Sequence, residues 1–495
     1  MFTGKVAKLF ALLIVLVLLG AASNSFSQIP ETFAGQKMSS FVKVFNSGDD
    51  AQWRAWVLED PKATDSAEVL ERRLEFFNML YGDMGGIEFN RVEDQSEYSI
   101  KCLFKAVSPK GPFEWMSISL DYDTAAPHPF LGMGARPGED PEDKIPEGEL
   151  THESIAAYLD SYIDEMVGKD KFSGTVLIAK DGQPFYTKAA GVACKRYDVP
   201  VKLDTKFNLG SMNKMFTSVA IAQLVQGGKL SYDDPVGKYL PDYPNAEVAE
   251  KVTIHHLLTH TSGMGSYWEE MFDTAWWEIK TVQQMADLTA TKPLQFEPGE
   301  RFHYSNCGPI VLGLIIEKIT GQSYFDYVRE NIYKPAGMIN TDCYEVDYPT
   351  PNLAIGYTKM NYDESYSEDF HNNLFMHAVK GGPAGGGYST VEDMLNFDIA
   401  LRGYKLLNEE YTNIIITGKT ERGPDRAYGY LFQDRVVDNE RIVGHGGGAP
   451  GINGMLDMYW NSGYTVAAFS NYDEGASMVT LKIRKLLLAM LSQQN

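Results

Sequence analysis

From Glu31 to about Pro137, apolar residues first recur at helical spacing and then fall into short strand-like runs. Phe41 to Phe45, followed by Asn46-Ser47-Gly48, predicts a helix ending in a turn, and Val69, Leu70, Leu74, Phe77 and Met79-Leu80 predict another over Ala67 to Leu80. Gly86 to Val92, Tyr98 to Val107 and Glu114 to Tyr122 then read as strands separated by turn residues. Helices before a meander predict a small α+β domain over 28–137. Gly134 to Glu149 is rich in Pro, Gly, Glu and Asp, including Pro137-Gly138-Glu139-Asp140-Pro141, which places a linker at 138–149 and opens a second domain near Leu150.

The second domain, 150–495, begins with an amphipathic helix, Ile155 to Val167. Gly174 to Lys180 and Phe185-Tyr186-Thr187 flank Asp181-Gly182 and predict a hairpin with a tight turn. Met215, Phe216, Val219, Ala220, Ile221, Leu224 and Val225, closed by Gly227-Gly228, predict a buried helix with a glycine stop. Another apolar helix covers Ile310 to Thr320, and a helix from Val391 is capped by Ser389 or Thr390. The end of the chain alternates strands and turns, Ala427 to Phe432, Arg441 to His445, Gly454 to Tyr459 and Tyr464 to Ser470, and finishes with an amphipathic helix, Ala476 to Leu491.

Composition bounds this picture. The 495 residues, 44% hydrophobic and 22% charged, suffice for two or more domains with large cores. A net charge of −22 without a basic block argues against nucleic acid or an anionic membrane as the main partner; solubility accounts for the acidity. Lys5 and Lys8 followed by unbroken apolar sequence from Leu9 to Ala22 have the layout of a secretory signal, too short for a comfortable membrane span. Ser25-Phe26-Ser27 offers a cleavage point before Gln28, so residues 1–27 are expected to be removed on export to the periplasm or exterior; an uncleaved anchor is the alternative. No membrane contact is expected beyond this segment. Cys102, Cys194, Cys307 and Cys343 form no C-x-x-C pair, which argues against zinc and a dense disulfide framework; buried thiols are expected, with a Cys307–Cys343 bridge left open in an oxidising compartment.

The candidate chemistry centres on Ser211-Met212-Asn213-Lys214. Residues three apart on a helix share a face, so the Lys214 amine can reach the Ser211 hydroxyl, provided burial keeps part of the amine neutral. Helix N-terminal amides favour charge developing there. Alone the spacing is weak, since about one such match arises by chance in a chain of this length. Downstream, Tyr304 and Asn306 are two apart on a loop before a helix: Tyr304 would exchange protons with Ser211 and the leaving group, its phenolate favoured by Lys214, and Asn306 would hold the substrate or the lysine. Gly444 to Gly451 carries His445-Gly446-Gly447-Gly448, a glycine tract at a strand end where an acyl group can lie along the backbone and an amide can complete an oxyanion hole with that of Ser211. His256 and His260 are four apart but lack a third ligand, so no metal is expected. Gly381 to Thr390 lacks the lysine of a phosphate loop and reads as close backbone approach near a cleft. No cofactor is implied.

S-x-x-K, then Y-x-N, then a strand-borne H-G-G box, with Thr259-His260-Thr261-Ser262-Gly263 between the first two, resembles the serine β-lactamase and penicillin-binding protein superfamily, in its class C β-lactamase, D-alanyl-D-alanine carboxypeptidase and esterase branch. The resemblance covers about residues 150 to 495. It implies an α+β fold, an antiparallel sheet flanked by helices and built from both ends of the domain, with an inserted helical lobe. It implies Ser211 as the acylated nucleophile, Lys214 and Tyr304 as proton-transfer groups, Asn306 as a substrate contact, His445, Gly446 and Gly447 as the third box, and the Gly448 amide as second oxyanion donor. Many lactamases and peptidases carry Lys-Thr-Gly where this chain has His445-Gly446-Gly447, replacing a fixed cation by a ring whose unperturbed pKa is about 6.5. An esterase, amidase or D-amino-acid peptidase is therefore at least as well supported as a β-lactamase, with a small molecule or peptide as partner. A catalytically silent binding or sensor protein is the other function class; the presence of every expected catalytic side chain favours the enzyme. The first domain's element order resembles the NTF2-like cone fold. It carries no catalytic constellation and is expected to be auxiliary or dimerising, through a homodimer.

Overall fold

The computed structural model describes residues 28–60, 67–111, 113–138, 140–141, 143–267, 270–271, 274–363, 365–423 and 425–494. The expected signal, 1–27, lies outside them. Contacts divide the chain into two units, one reaching to Lys144 and taking in Lys359–Glu368, the other comprising Ile145–Thr358 and Asp369–Asn495.

In the first unit, helical spacing gives α1 (Phe33–Phe45), α2 (Asp50–Leu58) and α3 (Ala67–Met84), the first two capped by the side chains of Thr32 and Asp49. A four-stranded antiparallel meander follows: β1 (Ile87–Gln95), β2 (Ser99–Ala106), β3 (Trp115–Tyr122) and β4 (Phe130–Pro137), hydrogen-bonded in that order. Phe41, Phe45 and Phe77 pack with Ile100, Phe104 and Ile118 in its core. Two elements escape the sequence pattern. In α2 only Trp53 and Val57 are buried, too few to mark a period. β4 takes Gly134 to Pro137 out of the Pro/Gly-rich stretch read as the start of a linker, because an edge strand tolerates glycine and proline that a central one would not.

The second unit starts with α4 (His152–Gly168), held at its N-terminus by a capping box of Thr151 and Ser154. β5 (Gly174–Lys180) and β6 (Gln183–Ala190) turn through Asp181 and Gly182, whose φ angles of 49° and 77° give the left-handed pair that a two-residue hairpin needs. Next come the short β7 (Phe207–Asn208), α5 (Asn213–Gln226), α6 (Ile254–Leu258) and α7 (Cys307–Thr320), then β8 (Tyr388–Ser389), which pairs with β7, and α8 (Val391–Arg402), capped by Thr390. The chain ends in β9 (Thr420–Glu421), β10 (Arg426–Tyr428), β11 (Gln433–Val437), β12 (Glu440–Ala449), β13 (Ile452–Tyr459), β14 (Tyr464–Ser470) and α9 (Gly475–Gln494).

One eight-stranded sheet, β9-β10-β11-β12-β13-β14-β5-β6, is thus closed by strands from both ends of the unit, with Ser470 of β14 opposite Gly174 of β5. Period-two alternation separates its faces. Val176, Ile178, Val466 and Ala468 face a layer made by Ile155, Leu159 and Ile163 of α4 and Val479, Ile483 and Leu487 of α9. Leu177, Ala179, Ala467 and Phe469 face the other core, where Met215, Phe216 and Val219 of α5 sit. Burying each large aliphatic side chain contributes about 1.5–3 kcal/mol, and α5 is buried on every face from Asn213 to Ala222.

The predicted strand over Ala427 to Phe432 is shorter than expected: β10 stops at Tyr428, and Leu431 has a left-handed φ of 56°. The polar strand β11 takes the place beside β12. Its Arg435 is paired with Asp457 of β13, and Arg484 of α9 reaches the other Asp457 oxygen at 2.6 Å. Burial alone would raise the Asp457 pKa, but the two guanidiniums outweigh it and hold the carboxyl below its usual range. This network spans β12 from both sides. Replacing Asp457 by Ala strands two buried cations and is expected to cost about 3–5 kcal/mol in urea unfolding. Because the folded pKa is depressed, the carboxylate's contribution is complete above the unfolded value of about 3.9 and is lost as pH falls through the folded one. The Tm difference between native protein and Asp457→Asn should therefore narrow under acid; a constant difference from neutrality to strong acid would refute the linkage.

Candidate active site

Ser211 sits in a single 3₁₀ turn, Gly210–Met212, that feeds directly into α5. The turn is clamped from two sides. Leu209 N–H donates to Gly387 O at 2.7 Å and Gly386 N–H to Gly210 O at 3.1 Å, while the other side rests on β12. There a Cβ on Gly447 would stand 1.9 Å from Leu209 O, so only glycine lets the strand come this close. Gly210 has a φ of 48°, and a Cβ on it would meet Gly448 N at 2.9 Å.

The Lys214 amine is completely buried. Its Nζ lies 3.2 Å from Ser211 Oγ, 2.8 Å from Asn306 Oδ1 and 2.6 Å from the carbonyl oxygen of Ala384. Burial lowers its pKa to about 7. In the neutral form Asn306 Oδ1 and Ala384 O, which can only accept, take the two N–H groups, and the lone pair is left for the Ser211 hydroxyl. Asn306 Nδ2 donates to Ser266 Oγ at 3.2 Å, which fixes the amide's orientation.

Tyr304 hydrogen-bonds Ser211, and Lys214 Nζ lies 4.8 Å from the centre of its ring. The residue as a whole is 37% exposed. Burial pushes the phenol's pKa up, against a smaller opposing effect of the Ser211 bond. The expected phenolate is thereby corrected: the amine beside the ring is itself desolvated, so the resting phenol is neutral and stands next to an amine that is partly neutral at neutral pH.

A cavity of about 210 Å³ opens at Ser211, lined by Asn208, Tyr267, Asn306, His377, Ala384 to Gly386, Gly448 to Pro450 and Ile452 among others. A larger one, about 490 Å³, lies in the first unit among Phe33, Trp56, Phe77 and Phe130. Its described lining residues include no serine, threonine or cysteine, and its Asp60 and Arg73 pair with each other at 2.8 Å. Chemistry therefore selects the smaller cavity.

Gly448 and Ser211 share that cavity's wall, as an oxyanion pair requires. Of the third box, the His445 side chain departs from the expected substrate contact. The His445 ring turns back into the domain, where Nε2 meets Tyr428 Oη at 2.8 Å and Nδ1 the Gly446 carbonyl. Burial, then the nearby Lys214, lower its pKa to about 3, against a small opposing effect of the Gly446 bond. It cannot serve as a cation that titrates near neutrality. His256 and His260 also point elsewhere: His256 Nδ1 accepts from Thr253 N and His260 Nδ1 from Ser305 N, at 3.3 and 3.2 Å. All four thiols are free and buried, so the Cys307–Cys343 bridge left open by the sequence is not formed; Cys307 contacts Thr289 Oγ1 at 3.2 Å and Cys343 accepts from Asn213 Nδ2 at 3.6 Å.

Residues 159–490 match the Beta-lactamase family profile. The chain belongs to the beta-lactamase family. Among its curated relatives, penicillin-binding protein 4* of Bacillus subtilis is 31% identical over 333 residues, 64% of this chain and 72% of that protein. Esterase EstB of Burkholderia gladioli is 34% identical over 219 residues, 41% of this chain and 55% of its own length. The crystal structure of a penicillin-binding protein from Bacillus halodurans superposes with a TM-score of 0.60 at 33% identity, over 66% of this chain and 99% of that one. The family is one of serine hydrolases, and the antiparallel sheet with flanking helices is its fold.

Within this beta-lactamase-family domain the sequence missed Ala384, whose carbonyl holds the amine, and the cavity walls Tyr267, His377 and Ile452. The glycine tract around Ala384 signalled close approach, though not to which atom; the other three carry no local signal. The neutral His445 has a direct test. Its ring signals, assigned by comparison with His445→Gln, are expected to stay fixed between about pH 5 and 8, whereas an accessible imidazole would titrate near 6.5. A midpoint in that window would mean that the ring is charged in use.

Proposed function

We propose that this protein is an exported serine hydrolase that forms an acyl-enzyme on Ser211 and acts on uncharged esters or amides. The observation that carries the reading is the fully buried Lys214 amine, held by Asn306 Oδ1 and the Ala384 carbonyl with its Nζ 3.2 Å from Ser211 Oγ. In the acylation step Ser211 Oγ bonds to the substrate carbonyl carbon as its proton moves to Lys214 Nζ. The carbonyl oxygen takes up the negative charge between the Ser211 and Gly448 amides. Collapse re-forms the C=O and expels the leaving group, which receives a proton by way of the Tyr304 hydroxyl. Water repeats the sequence on the acyl-enzyme, returning Ser211 Oγ–H and releasing the acid.

The cavity supports an uncharged acyl group. Its walls are largely backbone and apolar side chains, and the one lysine among its lining residues, Lys380, is engaged by Glu345 at 2.9 Å. Apart from Lys380, no lysine or arginine is among the cavity's described lining residues. A relative named as an esterase supports the same direction. Export rests on Lys5, Lys8 and the apolar stretch Leu9 to Ala22.

Intact mass after exposure to activated esters, β-lactams and a fluorophosphonate is expected to show one adduct per chain, absent in Ser211→Ala; an adduct that persists in the alanine variant would remove Ser211 from the mechanism. Since Lys214 must be neutral to accept the proton, kcat/KM should rise with pH through about 7 and then level off. Lys214→Arg, charged at every accessible pH, should lose about 10²–10⁴-fold. Matched neutral and carboxylate-bearing esters should favour the neutral one, and equal or reversed preference would overturn the substrate class while leaving the acyl-enzyme intact.

A further inference from the structure

His260 occupies an unusual position. It follows the end of α6 with a left-handed φ of 57°, a conformation that costs energy for a side chain of its size, and it is completely buried. Three contacts go from it to the loop bearing Tyr304. Its carbonyl accepts from His303 N at 2.8 Å, its Nδ1 accepts from Ser305 N at 3.2 Å, and its ring lies 4.4 Å from the Tyr304 ring, tilted by 38°. The two hydrogen bonds therefore grip the residues on either side of Tyr304, and the imidazole supports the phenol between them.

The other end of the ring is tied to the sheet. His260 Nε2 lies 3.1 Å from Tyr428 Oη, which lies 2.8 Å from His445 Nε2, and His445 Nδ1 meets the carbonyl of Gly446. Proton positions follow from the fixed partners. A backbone N–H can only donate, so His260 Nδ1 is bare and its proton is on Nε2. That proton goes to Tyr428 Oη. The Tyr428 hydroxyl then donates to His445 Nε2, which leaves the His445 proton on Nδ1, where it meets an obligate acceptor. One orientation satisfies every group, and both rings are neutral in it.

We infer that His260 is a positioning residue for Tyr304, and that the His260–Tyr428–His445 chain locks the tyrosine loop to β12, the strand that abuts the Ser211 turn. All three side chains are buried, whereas Tyr304 is partly exposed, so they act through Tyr304 and the backbone rather than on substrate. The inference rests on the proposed role of Tyr304 in proton transfer to and from Ser211. An error of about 1 Å in placing a reacting group can cost about 10²-fold, which is the scale on which such a lock would matter.

Two variants separate this from a purely structural role. Tyr428→Phe removes the bridging hydroxyl, and His260→Asn removes the ring while its Oδ1 can still accept from Ser305 and its backbone tolerates the left-handed φ. Each is expected to lower the rate of Ser211 acylation by a fluorophosphonate, and kcat on a neutral activated ester, by about 10- to 100-fold, with KM within about threefold. In a Tyr304→Phe background neither should cause further loss, because what they position is already gone. Losses that multiply in the double variants, or that fall on KM alone, overturn the inference. If the wild-type protein itself is never acylated, it is the hydrolase reading that fails. A measurement on the native protein covers the case in which a variant does not fold. Nitrogen-15 spectra should show His260 neutral with its proton on Nε2 and His445 neutral with its proton on Nδ1; a charged ring, or either opposite tautomer, rules out the chain.

Discussion

Desolvation of one amine organises the second unit. An ammonium group in water has little reason to give up its proton at neutral pH, and Lys214 is brought to a pKa of about 7 only because no part of it reaches solvent. Isolating a charge-bearing group in this way is costly unless its hydrogen bonds are replaced. The fold replaces them from two distant segments, Asn306 at the head of α7 and Ala384 in the glycine tract before β8. The apolar surround of α5 and these two acceptors are thus one device: the first removes water, and the second holds the amine 3.2 Å from Ser211 Oγ.

Close backbone approach is the second constraint. The Ser211 turn is held between the glycine tract and β12, and at Gly447 there is no room for even a methyl group. β12 has to be a rigid wall for this to work, and it lies between β11 and β13, which are joined by the buried ion pairs of Asp457 with Arg435 and, through α9, Arg484. A charged network thereby stands behind a site that is itself nearly free of charge. That absence of charge is a physical feature of the cleft: two histidines that could have carried charge are buried neutral, and the pocket lysine is paired.

Much of this was legible in the sequence. The periodicity of α4, the Asp181-Gly182 turn, the strand over Tyr464 to Ser470, the buried helix after Ser211 and the final helix are local properties, set by which faces must be apolar and which backbone angles a turn requires. The spacing of Ser211 and Lys214 and the position of Asn306 ahead of α7 were equally local, and the structure brings all three together. What the sequence could not decide were quantities that depend on neighbours far along the chain. Nothing near Arg435 announces a strand, because its partner Asp457 is supplied by another one. Nothing near Tyr304 shows that its phenol stays protonated, and nothing in His445-Gly446-Gly447 shows a ring turned away from the cleft toward Tyr428. Sequence fixes which groups are available and how they repeat along the backbone; protonation and orientation follow from burial, which exists only once the segments are packed together.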